Sequence, residues 1–333
     1  MLSLLHPGAA QRAARKRVPK ARVVVERALR DREALSKIRM ALSLMSEAHN
    51  LAKNTLDHAV RMAEKVYFGQ DYLDSRLAAY RGQKRAVFLY HGYLQGRPAF
   101  ERFERLLDSA LFDLFPIAAG YQPYSQDLRI SAEYERRVID RVLAATDLEE
   151  IYLVGHSQGG IIARYLLQEL AAPKVKRCVF LATPHRGTYA GLVGYPHRVA
   201  TFCLSALPAF PNVSGESGLQ LLPGSRFLDR LNSLDLPAGV EYTSIYNYID
   251  PLLVPARYGR MPYPQAHNIL MMKIGHYHAL YDQQETEIVL RALVLGQSVF
   301  ADFRKNILGG QELLDAAEFG AKATSDVFVA AAD

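Results

Sequence analysis

Two hydrophobic rhythms divide this chain. Between residues 30 and 68 apolar positions recur at spacings of three and four: Leu35, Ile38, Leu42, Met45, His49, Ala52, Leu56, Ala59, Ala63 and Val66. That spacing lines one face of a helix. The stripe weakens at His49 and Ala52, so packing against the main domain or a partner helix, including a second copy, is expected over a coiled coil. "FGQDYLDSRLAAYRGQK" then reads as a linker. From Ala86 the rhythm changes. Short apolar runs at 86–90, 114–121, 150–155, 175–183, 240–250 and 268–275 read as buried strands. Amphipathic stretches at 97–112, 129–146, 160–170 and 282–296 read as helices. Such alternation predicts an α/β fold, a mostly parallel central sheet flanked by helices on both faces.

One connection breaks the alternation. About 55 residues separate the strand ending near 183 from the one beginning at 240. A structureless link of that length is unusual, so a cap of short helices is expected over about 186–238. Its apolar residues Leu192, Val193, Phe202, Leu204, Leu207 and Phe210 would line an acyl groove or pack as ordinary core. The expected organisation is a helical extension over 1–85, a core over 86–298 and a tail over 299–333.

Charge sharpens the first boundary. Residues 1–85 hold 18 Lys and Arg against 8 Asp and Glu, whereas the rest holds 22 against 26. A basic arm on a mildly acidic body fits contact with an anionic surface such as phospholipid, against the plainer reading of a solvated tail. No specific nucleic-acid site is expected. No apolar run reaches the ~18 residues of a membrane span. "MLSLL" is too short for a secretory core and precedes its bases, so a cytoplasmic, membrane-associated protein is expected. Two cysteines, Cys178 and Cys203, give neither a disulfide framework nor a zinc site; they are expected to be free thiols, or one bridge in an exported protein.

The chemistry is concentrated in "IYLVGHSQGGIIARYL", Ile151–Leu166. Gly-x-Ser-x-Gly between a strand and a helix is a nucleophile elbow, with Ser157 on a sharp turn at a helix N-terminus. The competing reading is a glycine-rich phosphate loop, but Gly-Lys-Ser/Thr and G-x-G-x-x-G are both missing. A serine hydroxyl needs a base. In this architecture an acid and then a histidine follow at later strand ends. Asp250 closes one strand and His276 follows another, in that order. His278 is the rival base; Asp235 and Asp282 are alternative acids that end no strand. His185 and His197 precede the acid and read as structural. Backbone N–H groups of Gln158 and, in "LYHGYLQG", of Tyr93 are the expected oxyanion donors.

Together "FLYHGYLQG", "VGHSQGG", "LATPHRGT", "LLPGSRFLDRLN", "YTSIYNYIDPLLVP" and "IGHYHAL", spread in order over about 86–296, resemble the lipase branch of the α/β-hydrolase superfamily. Residues 240–280 especially resemble small bacterial triacylglycerol lipases. The resemblance implies a serine hydrolase of carboxylic esters, usually lipid acyl esters, working through an acyl-enzyme without a cofactor. It supports Ser157 as nucleophile, Asp250 as acid, His276 as base, and Tyr93 and Gln158 as oxyanion donors. Larger relatives hold a calcium ion near the catalytic histidine. Here no Asp or Glu lies between Asp250 and His276, so no metal is expected. The same triad also serves thioesterases, amidases and acyltransferases, and a non-catalytic scaffold that binds partners or membrane is the remaining alternative.

Overall fold

The apolar runs become one sheet. In the computed structural model, which describes residues 45, 49, 70–93, 95–108, 112–121, 127–193 and 215–297, the strands are β1 (Arg85–Tyr90), β2 (Phe115–Ala118), β3 (Glu150–His156), β4 (Val175–Leu181), β5 (Glu241–Ile249) and β6 (Ala266–Ile274). They lie in the order β2-β1-β3-β4-β5-β6. Every pairing is parallel. Parallel neighbours need crossovers, and helices supply them: α2 (Glu101–Leu107), α3 (Leu128–Ala145), α4 (Gln158–Gln168), and α8 (Gln283–Leu295) after the last strand. This is the expected α/β architecture. The short helices α5 (Glu216–Gln220) and α6 (Arg226–Asn232) and a 3-10 turn at Tyr189–Val193 fall within the anticipated cap.

Strand alternation sorts the core into two layers. Phe88 and Tyr90 of β1 join Phe115, Ile151, Leu153 and Phe180 on one face, under Ile139 of α3 and Ile161, Ile162 and Leu166 of α4. Val87 and Leu89 join Val154, Leu181, Ile245 and Ile269 on the other, under Phe103 of α2 and Ile288, Val289 and Leu293 of α8. Each such side chain, fully buried, contributes about 1.5–3 kcal/mol. Burial on both faces is why these strands read as continuous apolar runs.

The segment expected as a linker is different. Gln70–Ala78 forms a helix, α1. It lies along the outer edge of β2. The Ala118 N–H donates to Tyr72 Oη at 2.9 Å, and Arg76 Nε donates to the Pro116 carbonyl at 3.1 Å. The Arg97 guanidinium sits 3.5 Å over the Tyr72 ring. Side chains therefore serve edge groups that another strand would otherwise pair. Tyr72 and Arg76, both within the segment that reads as a linker, make these bonds.

Several expectations lie outside the described residues: the arm over 1–25, most of the 30–68 helix, His197, Cys203, Phe202, Leu204, Leu207, Phe210 and the 299–333 tail. Of the stripe, Met45 and His49 are described, both helical and exposed. Cys178 is buried and free.

Candidate active site

Because the strands are parallel, their C-terminal ends meet along one rim of the sheet, and loops leaving it converge there. The loops after β1, β3, β5 and β6 carry the residues singled out by the sequence. Ser157 follows β3 with φ 53° and ψ −122°, a left-handed conformation rare outside glycine. Its N–H donates to the Leu181 carbonyl at 2.8 Å, which pins the turn to the end of β4. Gly159 permits the close approach this turn requires, since a Cβ there would lie 2.1 Å from the Tyr90 carbonyl oxygen. Gln158 begins α4. Its N–H is among the first-turn amides that a helix leaves without an internal partner.

Asp250 and His276 meet. His276 Nδ1 lies 2.8 Å from Asp250 Oδ2 and 3.1 Å from Oδ1. Both side chains are buried. The Asp250 Oδ1 atom also accepts the N–H groups of Leu252 and Leu253, at 2.9 and 2.8 Å. The two loops are tied by backbone and side chain alike. Gly275 N–H donates to the Ile249 carbonyl at 3.0 Å, and Asn247 Nδ2 donates to the Gly275 carbonyl at 2.7 Å. With Nδ1 on the carboxylate, Nε2 is the ring nitrogen that can take a proton from a hydroxyl.

The alternatives fall elsewhere. Asp282 caps α8, accepting the N–H groups of Gln284 and Glu285, and pairs with Lys273 at 2.6 Å. Asp235 is exposed. His278 begins the short helix α7 (His278–Tyr281). The buried His185 points Nε2 at Ser244 Oγ, 3.0 Å away. That hydroxyl spends its one proton on the Gly259 carbonyl, at 2.8 Å, so His185 Nε2 is the donor. Burial holds His185 well below the ordinary histidine pKa, as befits a structural, neutral ring.

Tyr93 lies in a turn closed by Gln95 N–H donating to the Gly92 carbonyl at 3.2 Å. Behind it the His91 ring stacks on Tyr121 with centroids 4.1 Å apart. The Tyr121 hydroxyl donates to the His91 carbonyl. Glu135, fully buried on α3, accepts the N–H groups of Gly120 and Tyr121 at 3.0 and 3.2 Å.

Sequence reading passed over Gln95, His156, Glu135 and Arg164. Gln95 and His156 stood inside quoted motifs at positions the patterns leave free, so the motifs carried no signal for them. Arg164 is fully buried on α4. It donates to Gln168 at 3.0 Å, Asn232 at 2.9 Å, Tyr263 at 2.9 Å, and the His185 and Leu231 carbonyls at 3.3 Å. Burial lowers its pKa to about 10. It fastens the helix behind the elbow to α6 and to the loop before β6.

Residues 85–211 match a family model described as alpha/beta hydrolase fold. The all-parallel sheet and the serine elbow agree with that match, and these residues have the α/β-hydrolase fold. Among curated relatives it is similar to a putative esterase/lipase 3 of Mycoplasma pneumoniae, 26% identical over 41% of this chain and 53% of that one. It is also similar to the lysosomal thioesterase PPT2-B of Xenopus laevis, 27% identical over 32% of this chain and 38% of that one. The chain thus spans about half, or less, of the curated relatives it matches. Among solved structures, Aspergillus fumigatus lipase B aligns with a TM-score of 0.48 and 16% identity, over 65% of this chain and 54% of that one. No helix among the described residues is long and apolar enough to cross a membrane.

Proposed function

We propose that the protein hydrolyses carboxylic esters, with lipid acyl esters as the expected class, through an acyl-enzyme on Ser157. The observation that carries this reading is the buried His276–Asp250 pair at 2.8 Å, on the same rim as a serine held at positive φ. His276 Nε2 takes the Ser157 hydroxyl proton as Oγ bonds to the acyl carbon. Asp250 holds the ring in the Nδ1–H tautomer and stabilises the imidazolium. The backbone N–H groups of Tyr93 and Gln158 receive the developing oxyanion. On collapse the carbon–oxygen bond to the alcohol breaks, and the alcohol leaves with the proton from His276. Water, deprotonated by the same imidazole, then attacks the acyl group and frees Ser157.

A fluorophosphonate probe tests the assignment. Wild type is expected to label and Ser157→Ala to stay unlabelled; equal labelling of both would remove Ser157 from the role. A chain-length series of nitrophenyl esters then reads the acyl preference.

The likeness to a thioesterase favours a second reading, the same residues acting on an acyl thioester. Matched oxygen and thio esters of one acyl group separate the two by their kcat/KM. The basic arm is proposed to bring the enzyme to an anionic membrane. Deleting residues 1–25 should then weaken sedimentation with phosphatidylserine vesicles, and unchanged sedimentation would dismiss that role.

A further inference from the structure

We infer that Gln95 and His156 are positioning residues that lock the oxyanion loop, the nucleophile elbow and the base loop into one register, an inference that rests on the ester-hydrolase reading above. Three loops enter the candidate site, and one amide and one imidazole touch all of them. Gln95 Oε1 accepts the Gly92 N–H at 2.7 Å, in the loop that carries Tyr93. The same oxygen lies 2.8 Å from Nδ1 of His156, the residue just before Ser157. On the far side of the ring, His156 Nε2 lies 3.0 Å from the carbonyl oxygen of His276 itself. Gln95 and His156 are both buried, so water does not compete for these contacts.

The packing leaves no slack. A Cβ on Gly92 would lie 2.7 Å from Gln95 Oε1 and 3.0 Å from both His156 Nδ1 and Ser157 Cβ. The oxyanion loop therefore rests on the elbow with only hydrogen between them, and its height there is set by the Gln95 bond. Oxyanion donors act only when aimed at the place where charge develops, and a displacement of about 1 Å can cost roughly a hundredfold in rate.

The histidine also suits its neighbour. Its ring centroid is 4.8 Å from that of His276. Burial, and then the nearby His276, hold His156 well below the ordinary histidine pKa, so the ring is neutral and carries a single N–H: it donates either to Gln95 Oε1 or to the His276 carbonyl, and its other nitrogen is held against the second oxygen by packing. A neutral ring does not repel the imidazolium that forms at His276 when it takes the serine proton. Neither Gln95 nor His156 is assigned contact with the substrate; both act through Gly92, Tyr93 and His276.

The test is a double-mutant cycle of Gln95→Met, His156→Phe and the pair, which keep volume and remove the bonds. Nitrophenyl-ester kinetics and hydrogen exchange at the Gly92 amide are the readouts. Each single variant is expected to lose roughly ten- to a hundredfold in kcat, with KM within about threefold. The double variant should be no worse than the poorer single, because one linkage is broken in each. Gly92 exchange should quicken at least about tenfold in Gln95→Met. A kcat within twofold of wild type in Gln95→Met overturns the inference, and so do losses that multiply in the double variant. Should Gln95→Met not fold, Gln95→Asn is one methylene too short for the bridge and should show the same kcat-only loss; an unchanged kcat there overturns it equally. If wild type neither cleaves esters nor labels with fluorophosphonate, the functional reading fails. Gly92 exchange still judges the clamp, and an unchanged rate sinks it.

Discussion

His276 Nδ1 and Asp250 Oδ2 stand 2.8 Å apart, and the carboxylate cannot turn away without giving up the backbone N–H groups of Leu252 and Leu253. The imidazole is thus oriented by a group that is itself anchored. Asp250→Asn keeps the shape but sets an amide against Nδ1. Its NH2 facing the ring would favour the Nε2–H tautomer, which cannot accept the Ser157 proton. We expect kcat to fall by roughly 10³–10⁴-fold with little change in KM. Steady-state kinetics on a nitrophenyl ester checks it, with circular dichroism to verify folding. A loss below tenfold would take Asp250 out of this role.

Ser157 stores strain that stability measurements can read. Its φ of 53° and ψ of −122° suit glycine, and holding a side chain there costs about 1–3 kcal/mol. Ser157→Ala keeps the Cβ and the strain; Ser157→Gly releases it, less the extra freedom glycine gains in the unfolded chain. Both variants should be inactive. The glycine variant should unfold about 1 kcal/mol later than the alanine variant in urea. Equal midpoints would mean that the elbow is not strained by its side chain.

Glu135 predicts a pH dependence of stability. Burial raises its pKa from 4.5 to about 7, against the lowering effect of the Gly120 and Tyr121 N–H groups and Arg97. The folded protein therefore binds a proton that the unfolded chain releases between these values. The contribution is complete below the unfolded pKa and is lost as pH rises through the folded one. The loss is about 3 kcal/mol. Glu135→Gln keeps an oxygen for the two N–H groups and cannot ionise. Urea unfolding of both proteins from pH 5 to 8 should show wild type losing ground to the variant as pH rises. A constant difference across that range would refute the shift.

The strands and the Ser157–Asp250–His276 order were legible because two different periodicities meet at each elbow or strand end. A run buried on both faces, such as Val87–Tyr90, has no polar position to confuse it. A serine, carboxylate or imidazole just after such a run stands out. Bounds were less legible: the run at 114–121 pairs only over Phe115–Ala118, since Tyr121 leaves the sheet to bond the His91 carbonyl. Long-range polar partnerships left no local trace. Glu135 sits in an amphipathic helix pattern, and Gln95 reaches His156 across 61 positions of sequence. The 70–78 helix was misread because Tyr72 and Arg76 spend their polar ends on a neighbouring strand, which looks from sequence like solvent exposure.

That helix makes the last prediction. The Ala118 N–H depends on Tyr72 Oη, and the Pro116 carbonyl depends on Arg76 Nε. Tyr72→Phe leaves the strand amide without its acceptor, at a cost of about 1–3 kcal/mol. Arg76→Ala should cost a similar amount, because it removes both the carbonyl's donor and the cation over the Phe115 ring, 5.2 Å from its centroid. Asp108 pairs with the same guanidinium at 3.0 Å but is half exposed, so Asp108→Ala should cost less than about 1 kcal/mol. Guanidinium denaturation ranks the three variants. Static light scattering reads the second consequence, since an uncovered β2 edge offers unpaired groups to another chain and should promote association. If Tyr72→Phe and Arg76→Ala cost no more than Asp108→Ala and stay monodisperse with wild type, α1 does not protect the edge.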